Sequence, residues 1–243
     1  MSVLPQLALP EHIGQRAFED AAAAATALAE RVADALRAAL AQREAATLVV
    51  SGGRSPAAFM AALSCQSLDW SRVTVTLADE RCVPAGHGDS NAGMVKSTLL
   101  QNEAARARFV ALYDDGLSPE AAAKRAAERL DALARPLDVV VLGMGEDGHT
   151  ASLFPQSTAL PGLLAADAPL AGAVLPPHAA HPRVSLSLPA LLDSRLILLP
   201  IAGAGKAAVI ERAAKERDPL KMPVAAVLMQ RRTPVEVFHA GAA

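Results

Sequence analysis

The stretch 138-DVVVLGMGEDGHTASLF-154 decides the fold and also raises the question of function. Asp138 is followed by the apolar run Val139–Leu142, which is typical of a strand buried on both faces of a parallel sheet. The next seven residues contain three glycines, two acids and His149. Flexible and charged residues directly after a buried strand predict a ligand-binding loop at the carboxyl edge of the sheet. We therefore predict that this stretch forms the floor of an active site.

Three further apolar runs end in glycine or a carboxylate in the same way. They are ATLVVSGG (46–53), RVTVTLADE (72–80) and RLILLPIAG (195–203). Helix-like segments alternate with the runs and are predicted at 18–44, 56–63, 90–100, 118–134 and 204–217. This alternation is typical of a parallel sheet with helices on its faces, so the predicted fold class is α/β.

The segment 172-GAVLPPHAAHPRVSLSLPAL-191 breaks this alternation, because prolines bracket short alternating runs with no helix between them. We expect an antiparallel flap or edge in the subregion around 171–191. No internal repeat and no sharp change of composition marks a linker. Residues 1–243 are therefore expected to form a single α/β domain.

Composition limits the classes of function. The chain of 243 residues is 52% hydrophobic and 3% aromatic, which is enough for one large core of Ala, Val and Leu. A net charge of −2 provides no overall basic field, so we expect no nucleic-acid partner. The first residues do not resemble a signal peptide, and no apolar run reaches the roughly 18 residues of a membrane helix. We expect a soluble, cytoplasmic protein that does not bind membranes.

The loop after the first apolar run suits an anion. Ser51, Gly52 and Gly53 let the backbone approach a ligand closely, and Ser55 can cap the helix that follows. Such a strand, glycine loop and helix start presents free N–H groups to a phosphate, although a simple tight turn explains the same residues. The loop matches neither a Walker motif nor a dinucleotide fingerprint.

Charged residues follow two other runs. Asp79 and Arg81 stand at the end of the second, where a carboxylate beside an arginine suits anion binding and the orientation of a hydroxyl. Lys206 falls in the first turn of the last predicted helix, where a cation opposes the helix dipole. An anionic ligand would compensate for that unfavourable position.

His149 and Asp147 complete the candidate site. A lone histidine is usually structural, but His149 is flanked by glycines and lies two residues after Asp147 at a strand's carboxyl end. The ordinary pKa of imidazole lies near neutral pH, which makes His149 a candidate general base. Asp147 would orient the ring or contact a sugar hydroxyl. We expect the segment HTASLF (149–154) to form the next helix turn.

Four sequence blocks carry a resemblance to a known family. In chain order they are LVVSGGRSP, LADERCVPAGHGDSNAGMVKSTLL, DVVVLGMGEDGHTASLFP and RVSLSLPALLDSRLILLPIAGAGKAAVI. Together they resemble the glucosamine-6-phosphate isomerase/6-phosphogluconolactonase family over roughly residues 47–212. Its lactonase members belong to the oxidative pentose phosphate pathway. The resemblance implies a modified Rossmann-like sheet with a small antiparallel addition, similar to glucosamine-6-phosphate deaminase and ribose-5-phosphate isomerase.

The resemblance also implies roles for the candidate residues in hydrolysis of a sugar-phosphate lactone. His149 would activate water with Asp147 beside it, while Arg81 and Lys206 would hold the phosphate or the developing oxyanion. Asp79 would position Arg81 or a sugar hydroxyl. The other implied ligand contacts come from Ser51, Gly52, Gly53, Ser55 and Arg183. Arg54 replaces the small polar residue of many relatives, which puts its side chain's role in doubt.

No metal and no cofactor is expected, because no His, Cys or Asp cluster has the spacing of metal ligands and the reaction needs neither. Two rival functions stay open. One is an amino-sugar phosphate deaminase or isomerase, in which Asp79 removes a proton from carbon. The other is a non-catalytic sugar-phosphate sensor, although no helix-turn-helix precedes residue 47. We expect a monomer or a dimer.

Overall fold

The computed structural model describes residues 6–53 and 56–241. Ten strands lie within these ranges: β1 (Ile13–Phe18), β2 (Ala46–Val50), β3 (Val73–Leu77), β4 (Asp79–Arg81), β5 (Arg108–Val110), β6 (Val139–Val141), β7 (Ala171–Val174), β8 (Arg183–Leu186), β9 (Ile197–Ala202) and β10 (Val235–Ala240). Seven of them form one parallel sheet in the order β1-β10-β9-β6-β2-β3-β5. The other three form an antiparallel sheet in the order β4-β8-β7.

Helices connect the strands and flank the large sheet. They are α1 (Ala21–Gln42), α2 (Ala57–Ser64), α3 (Asn91–Thr98), α4 (Pro119–Asp131), α5 (Leu160–Leu164), α6 (Leu188–Leu192), α7 (Gly203–Glu216) and α8 (Val224–Met229), with short 3-10 helices at Trp70–Arg72 and Asn102–Arg106. Across residues 6–53 and 56–241, none of the helices has both the length and the hydropathy required to span a bilayer.

Strand β6 occupies the middle of the large sheet. Its three valines pair with Leu48–Val50 of β2 on one side, and two of them pair with Ile197 and Leu198 of β9 on the other. All three are almost completely buried. A strand covered on both faces and both edges has no polar position, which explains why the sequence reads as a continuous apolar run.

Asp138 anchors the start of this central strand. It is buried, and its Oδ2 accepts a hydrogen bond of 2.8 Å from the backbone N–H of Thr47, which lies in β2. Its Oδ1 forms an ion pair with Arg43, the residue that caps the end of α1. One carboxylate therefore joins the first long helix to the two central strands.

The structure confirms the predicted α/β class, the four predicted strands of the parallel sheet and the antiparallel region around 171–191. The two edge strands β1 and β5 and the inner strand β10 were not predicted. The predicted helix start at Phe18 was wrong, since Phe18 ends β1. Asp20 instead caps α1 by accepting a hydrogen bond of 2.8 Å from the N–H of Ala23.

We expect Asp138→Leu to lower the free energy of unfolding by about 2–3 kcal/mol, because it leaves a buried N–H and a half-buried arginine without their charged partner. Urea unfolding measures the effect. The control is Asp34→Leu, which removes the exposed Asp34–Arg37 ion pair and should change the free energy by less than about 1 kcal/mol. Equal effects of the two substitutions would contradict the anchoring role of Asp138.

Candidate functional site

One cavity of about 450 Å³ lies where the strands of the large sheet end. It brings together most of the residues predicted from the sequence: Ser51, Gly52, Gly53, Asp79, Arg81, His149, Arg183 and Lys206. Asp147 does not line the cavity but contacts His149. Ser55 and Arg54 lie outside the described residues. The parallel direction of the strands of the large sheet explains why Ser51, His149 and Lys206 converge, because the carboxyl ends of these strands share one edge. Asp79, Arg81 and Arg183 come instead from strands β4 and β8 of the antiparallel sheet.

His149 and Asp147 form a close pair. The ring Nδ1 of His149 lies 2.6 Å from Oδ1 of Asp147, and the same oxygen accepts a hydrogen bond of 3.1 Å from the backbone N–H of His149. Partial burial raises the pKa of Asp147, but the bonds from His149 outweigh it and the net direction is downward. An ionised carboxylate only accepts hydrogen bonds, so Nδ1 carries a proton, and in the neutral ring Nε2 then keeps a free lone pair.

Gly145 leaves the space that this pair occupies. A Cβ at this position would lie 2.1 Å from Nδ1 of His149 and 2.5 Å from Oδ1 of Asp147. The N–H of Gly145 also donates to the carbonyl of His149 at 2.9 Å, which closes a tight loop. The glycine-rich sequence therefore allows the ring and the carboxylate to pack directly on the backbone.

The segment after His149 differs from the prediction. No helix forms at 149–154; instead Thr150 and Leu153 form an isolated antiparallel bridge. Thr150 also donates from its hydroxyl to the carbonyl of Gly143 at 2.8 Å. This bond holds the loop against the end of β6, so the predicted helix turn is replaced by a turn tied to the strand.

The three consecutive charged residues Asp79, Glu80 and Arg81 form strand β4, so their side chains point to two opposite faces of the strand. Alternation points Asp79 and Arg81 to the cavity side and Glu80 to the other side. There Glu80 accepts hydrogen bonds from the N–H groups of Asn91 and Ala92, at 2.8 and 2.7 Å. Burial raises the pKa of Glu80, and these backbone bonds oppose the rise. Glu80 thus holds the start of α3 rather than the ligand.

Arg81 and Arg183 face each other across the antiparallel pair β4 and β8. Like charges in directly opposite positions destabilise a sheet. Burial, followed by the charge of Arg81, lowers the pKa of Arg183. The Nε of Arg81 is buried and has no hydrogen-bond partner within residues 6–53 and 56–241. Two neighbouring cations with unused donors at a cavity create a site that favours an anion.

Asp79 lies beside the two arginines and is held in place. Its Oδ2 accepts a hydrogen bond of 2.5 Å from the hydroxyl of Ser152 and lies 3.9 Å from Nη1 of Arg183. Its backbone carbonyl accepts from the side-chain amide of Asn91 at 2.8 Å. These contacts fix the carboxylate's orientation toward the cavity.

Asn91 is a cavity residue that the sequence analysis did not single out. Its Oδ1 is buried and accepts no hydrogen bond from the described part of the chain. A Cβ on Gly52 would lie 1.8 Å from that oxygen, so only glycine fits there. The signal was present, since Ser90 and Asn91 open a predicted helix just after the second apolar run.

Lys206 lies in the first turn of α7, as predicted, and lines the same cavity. Its ammonium group donates to the backbone carbonyl of Met144, which belongs to the loop after β6. On the neighbouring loop, the hydroxyl of Ser51 accepts a hydrogen bond of 3.0 Å from the N–H of Gly143. The loops after β2 and β6 and the start of α7 are therefore joined around the cavity.

A parallel α/β sheet with a histidine–carboxylate pair and several cations at its carboxyl edge is typical of enzymes that act on small phosphorylated molecules. Comparison with known families shows to which family the chain belongs. The chain belongs to the family of glucosamine-6-phosphate isomerases and 6-phosphogluconolactonase, whose model matches residues 19–236.

Relatives of high sequence identity share one name, 6-phosphogluconolactonase. The chain is 49% identical to a 6-phosphogluconolactonase of Pseudomonas aeruginosa over 229 residues, covering 93% of this chain and 95% of the relative. A crystal structure of a 6-phosphogluconolactonase from Shewanella baltica is 43% identical, with a TM-score of 0.92 and coverage of 97% and 100%. A monomeric glucosamine-6-phosphate deaminase shares the fold, with a TM-score of 0.76 at 15% identity over 94% of this chain and 97% of that chain.

Substitution of one of the paired arginines tests their effect on phosphate binding separately from their effect on the stability of the fold. Arg183→Met removes a buried cation whose charged form the folded state disfavours, so the free energy of unfolding should stay the same or rise. Affinity for inorganic phosphate should fall more than about tenfold, because hydrogen bonds to charged groups contribute about 1.5–3 kcal/mol each. Urea unfolding and calorimetric phosphate titration measure the two effects.

The control is Arg106→Met, since Arg106 is exposed and does not line the cavity. Its phosphate affinity should match that of the parent chain. If Arg183→Met keeps the parent's phosphate affinity, the anion site does not include this arginine.

Proposed function

We propose that this chain hydrolyses 6-phospho-D-glucono-1,5-lactone to 6-phospho-D-gluconate in the oxidative pentose phosphate pathway. The observation that carries the proposal is the His149–Asp147 pair, whose free Nε2 belongs to a ring lining a cavity that also contains Arg81, Arg183 and Lys206. Family membership and the named activity of the similar relatives support the same reaction. We place the reaction in the cytoplasm, as expected for a step of sugar-phosphate metabolism.

His149 acts as a general base on water. Nε2 takes one proton from the water molecule while its oxygen forms a bond to the lactone carbonyl carbon. Asp147 accepts the hydrogen bond from Nδ1, which orients the ring and stabilises the imidazolium that forms. When the tetrahedral intermediate collapses, the bond from this carbon to the ring oxygen breaks and His149 returns its proton to that oxygen. The other proton of water leaves with the new carboxylic acid, which ionises at neutral pH.

Positive charge serves two parts of this substrate, the phosphate and the oxyanion that develops on the carbonyl oxygen. Among the described residues, Arg81, Arg183 and Lys206 are the cations that line the cavity, and the backbone at Gly52 and Gly53 can approach the phosphate closely. The side chains and backbone at the cavity thus supply the base, the orientation of its ring and the positive charge. The proposed reaction therefore needs no metal and no cofactor.

Asp79 has a positioning role in this mechanism. Its hydrogen bond from Ser152 and its proximity to Arg183 suit a carboxylate that orients a neighbouring cation or a sugar hydroxyl. In the rival deaminase reaction Asp79 would itself remove a proton from carbon. The high identity to relatives named as lactonases favours the positioning role.

The proposed function is tested by incubating the purified chain with freshly prepared 6-phosphoglucono-δ-lactone and, separately, with glucosamine 6-phosphate. We expect acid release from the lactone well above its spontaneous rate and no ammonia from the amino sugar. A chain that releases ammonia and leaves the lactone at its spontaneous rate would overturn the proposal.

Two substitutions test the assignment of the base. His149→Ala should lower the enzymatic rate by about 10²–10⁴-fold, the usual contribution of general base catalysis. Asp79→Asn keeps the shape and much of the hydrogen bonding, so its loss should be smaller. Rates are measured at several pH values on variants whose fold is checked by circular dichroism.

The matched control is His178→Ala, since His178 is exposed and does not line the cavity; it should retain the parent rate. If Asp79→Asn is the less active variant across the pH range while His149→Ala stays active, the roles of base and positioning residue are reversed.

A further inference from the structure

Three side chains outside the proposed mechanism meet next to Arg81 and Arg183, the paired arginines of the cavity. His87 and Asp89 belong to the loop between β4 and α3, and His181 belongs to the loop between β7 and β8. Nε2 of His181 lies 3.2 Å from Oδ2 of Asp89, and Nδ1 of His87 lies 3.9 Å from the same oxygen. One donor atom from each residue lies within 4.8 Å of the other two.

We propose that His87, Asp89 and His181 bind one divalent transition-metal ion of the zinc type. Imidazole nitrogen and carboxylate oxygen are the ligands that Zn²⁺ takes at about 2.0–2.2 Å, which puts neighbouring donors of a tetrahedral site at about 3.3 Å. The observed separations need shifts of about 1 Å or less per side chain, which exposed loop residues accommodate. A water molecule would complete the fourth position.

The charges of the cluster suit a cation. In the described part of the chain, the carboxylate of Asp89 lies within ion-pair distance of two imidazoles and of no arginine or lysine, although its charge partly offsets the effect of burial, which lowers the pKa of nearby Arg183. Nδ1 of His87 accepts a hydrogen bond of 3.1 Å from the backbone N–H of Asp89, and metal binding at that nitrogen would replace this bond. The rings of His87 and His181 already meet edge to face, with centroids 5.4 Å apart.

Backbone hydrogen bonds connect the proposed metal site to the two arginines of the anion site. Arg81 donates to the carbonyl of Asp89 at 2.5 Å, and Arg183 donates to the carbonyl of His181 at 3.2 Å. Two of the three metal ligands thus carry the carbonyls that hold the facing arginines of the anion site. An ion bound here would join the loop between β4 and α3 to the loop between β7 and β8, and it would restrain both arginines.

The expectation of no metal came from sequence spacing. His87 and Asp89 are close in sequence, but His181 lies 92 positions beyond Asp89. Only the pairing of β4 with β8 brings the two segments together. The proposal opposes that expectation and does not depend on the proposed lactonase activity.

Calorimetric titration with ZnCl₂ tests the site in the parent chain and in His87→Ala, Asp89→Asn and His181→Ala. The parent should bind one Zn²⁺, and each substitution should weaken binding at least tenfold, since even residues behind metal ligands change affinity by about 10–100-fold. Because only the folded chain holds the three ligands together, Zn²⁺ should also raise the melting temperature of the parent and not that of His181→Ala.

Two controls locate the ion. His178→Ala removes an exposed histidine of the same loop, and His149→Ala removes the other histidine–carboxylate pair; both should bind Zn²⁺ within about twofold of the parent. The proposal is overturned if the parent binds no Zn²⁺, if His181→Ala binds it as tightly as the parent, or if His149→Ala abolishes binding.

Discussion

The burial of β6 between β2 and β9 is the constraint on which the rest of the structure depends. Because Val139–Val141 must be covered on all sides, the chain cannot place a polar group until the strand has ended. All the polar residues of the loop then appear together at the carboxyl edge of the sheet. The neighbouring strands run parallel to β6, so their terminal loops meet it there and close one cavity.

The site contains local arrangements that work against stability. Arg81 and Arg183 oppose each other, and Lys206 lies at the positive end of a helix. A polar oxygen of Asn91 is buried and has no hydrogen-bond partner among residues 6–53 and 56–241. A fold selected for stability alone has no reason to collect such features around one cavity. A bound phosphorylated anion would compensate for the cations, and the surrounding buried core supplies the stability that these positions do not.

Much of this could be predicted from the sequence. The apolar runs identified the central strands. The residues that follow them pointed to His149, Asp147, Asp79, Arg81 and Lys206, which lie at or beside the cavity and whose roles stay predictions. Edge strand β5 has only three residues, of which Arg108 is charged and exposed, and the two apolar residues that follow carry little signal. The helix predicted at 149–154 did not form, because hydrogen bonds to Gly143 and within the loop hold a turn that no local propensity reveals.

Long-range pairing was the part that the sequence could not reveal. The positions of Arg81 and Arg183 are about a hundred residues apart, and only the register of β4 and β8 shows that they face each other. The cap that Glu80 provides for α3 depends on alternation along a strand of three residues. The carboxylates of Asp79 and Glu80 looked equivalent in the sequence. Their separate roles follow from the opposite faces of β4 on which they lie.

We propose that Asp147 fixes the tautomer of His149 so that Nε2 serves as the base. Nitrogen NMR of the chain labelled with ¹⁵N in histidine tests it directly, with His149→Ala used to assign the signals. At a pH where the ring is neutral, the account predicts that Nδ1 of His149 carries the proton and Nε2 does not. In Asp147→Asn this preference should weaken. A neutral ring protonated at Nε2 in the parent chain would contradict the account.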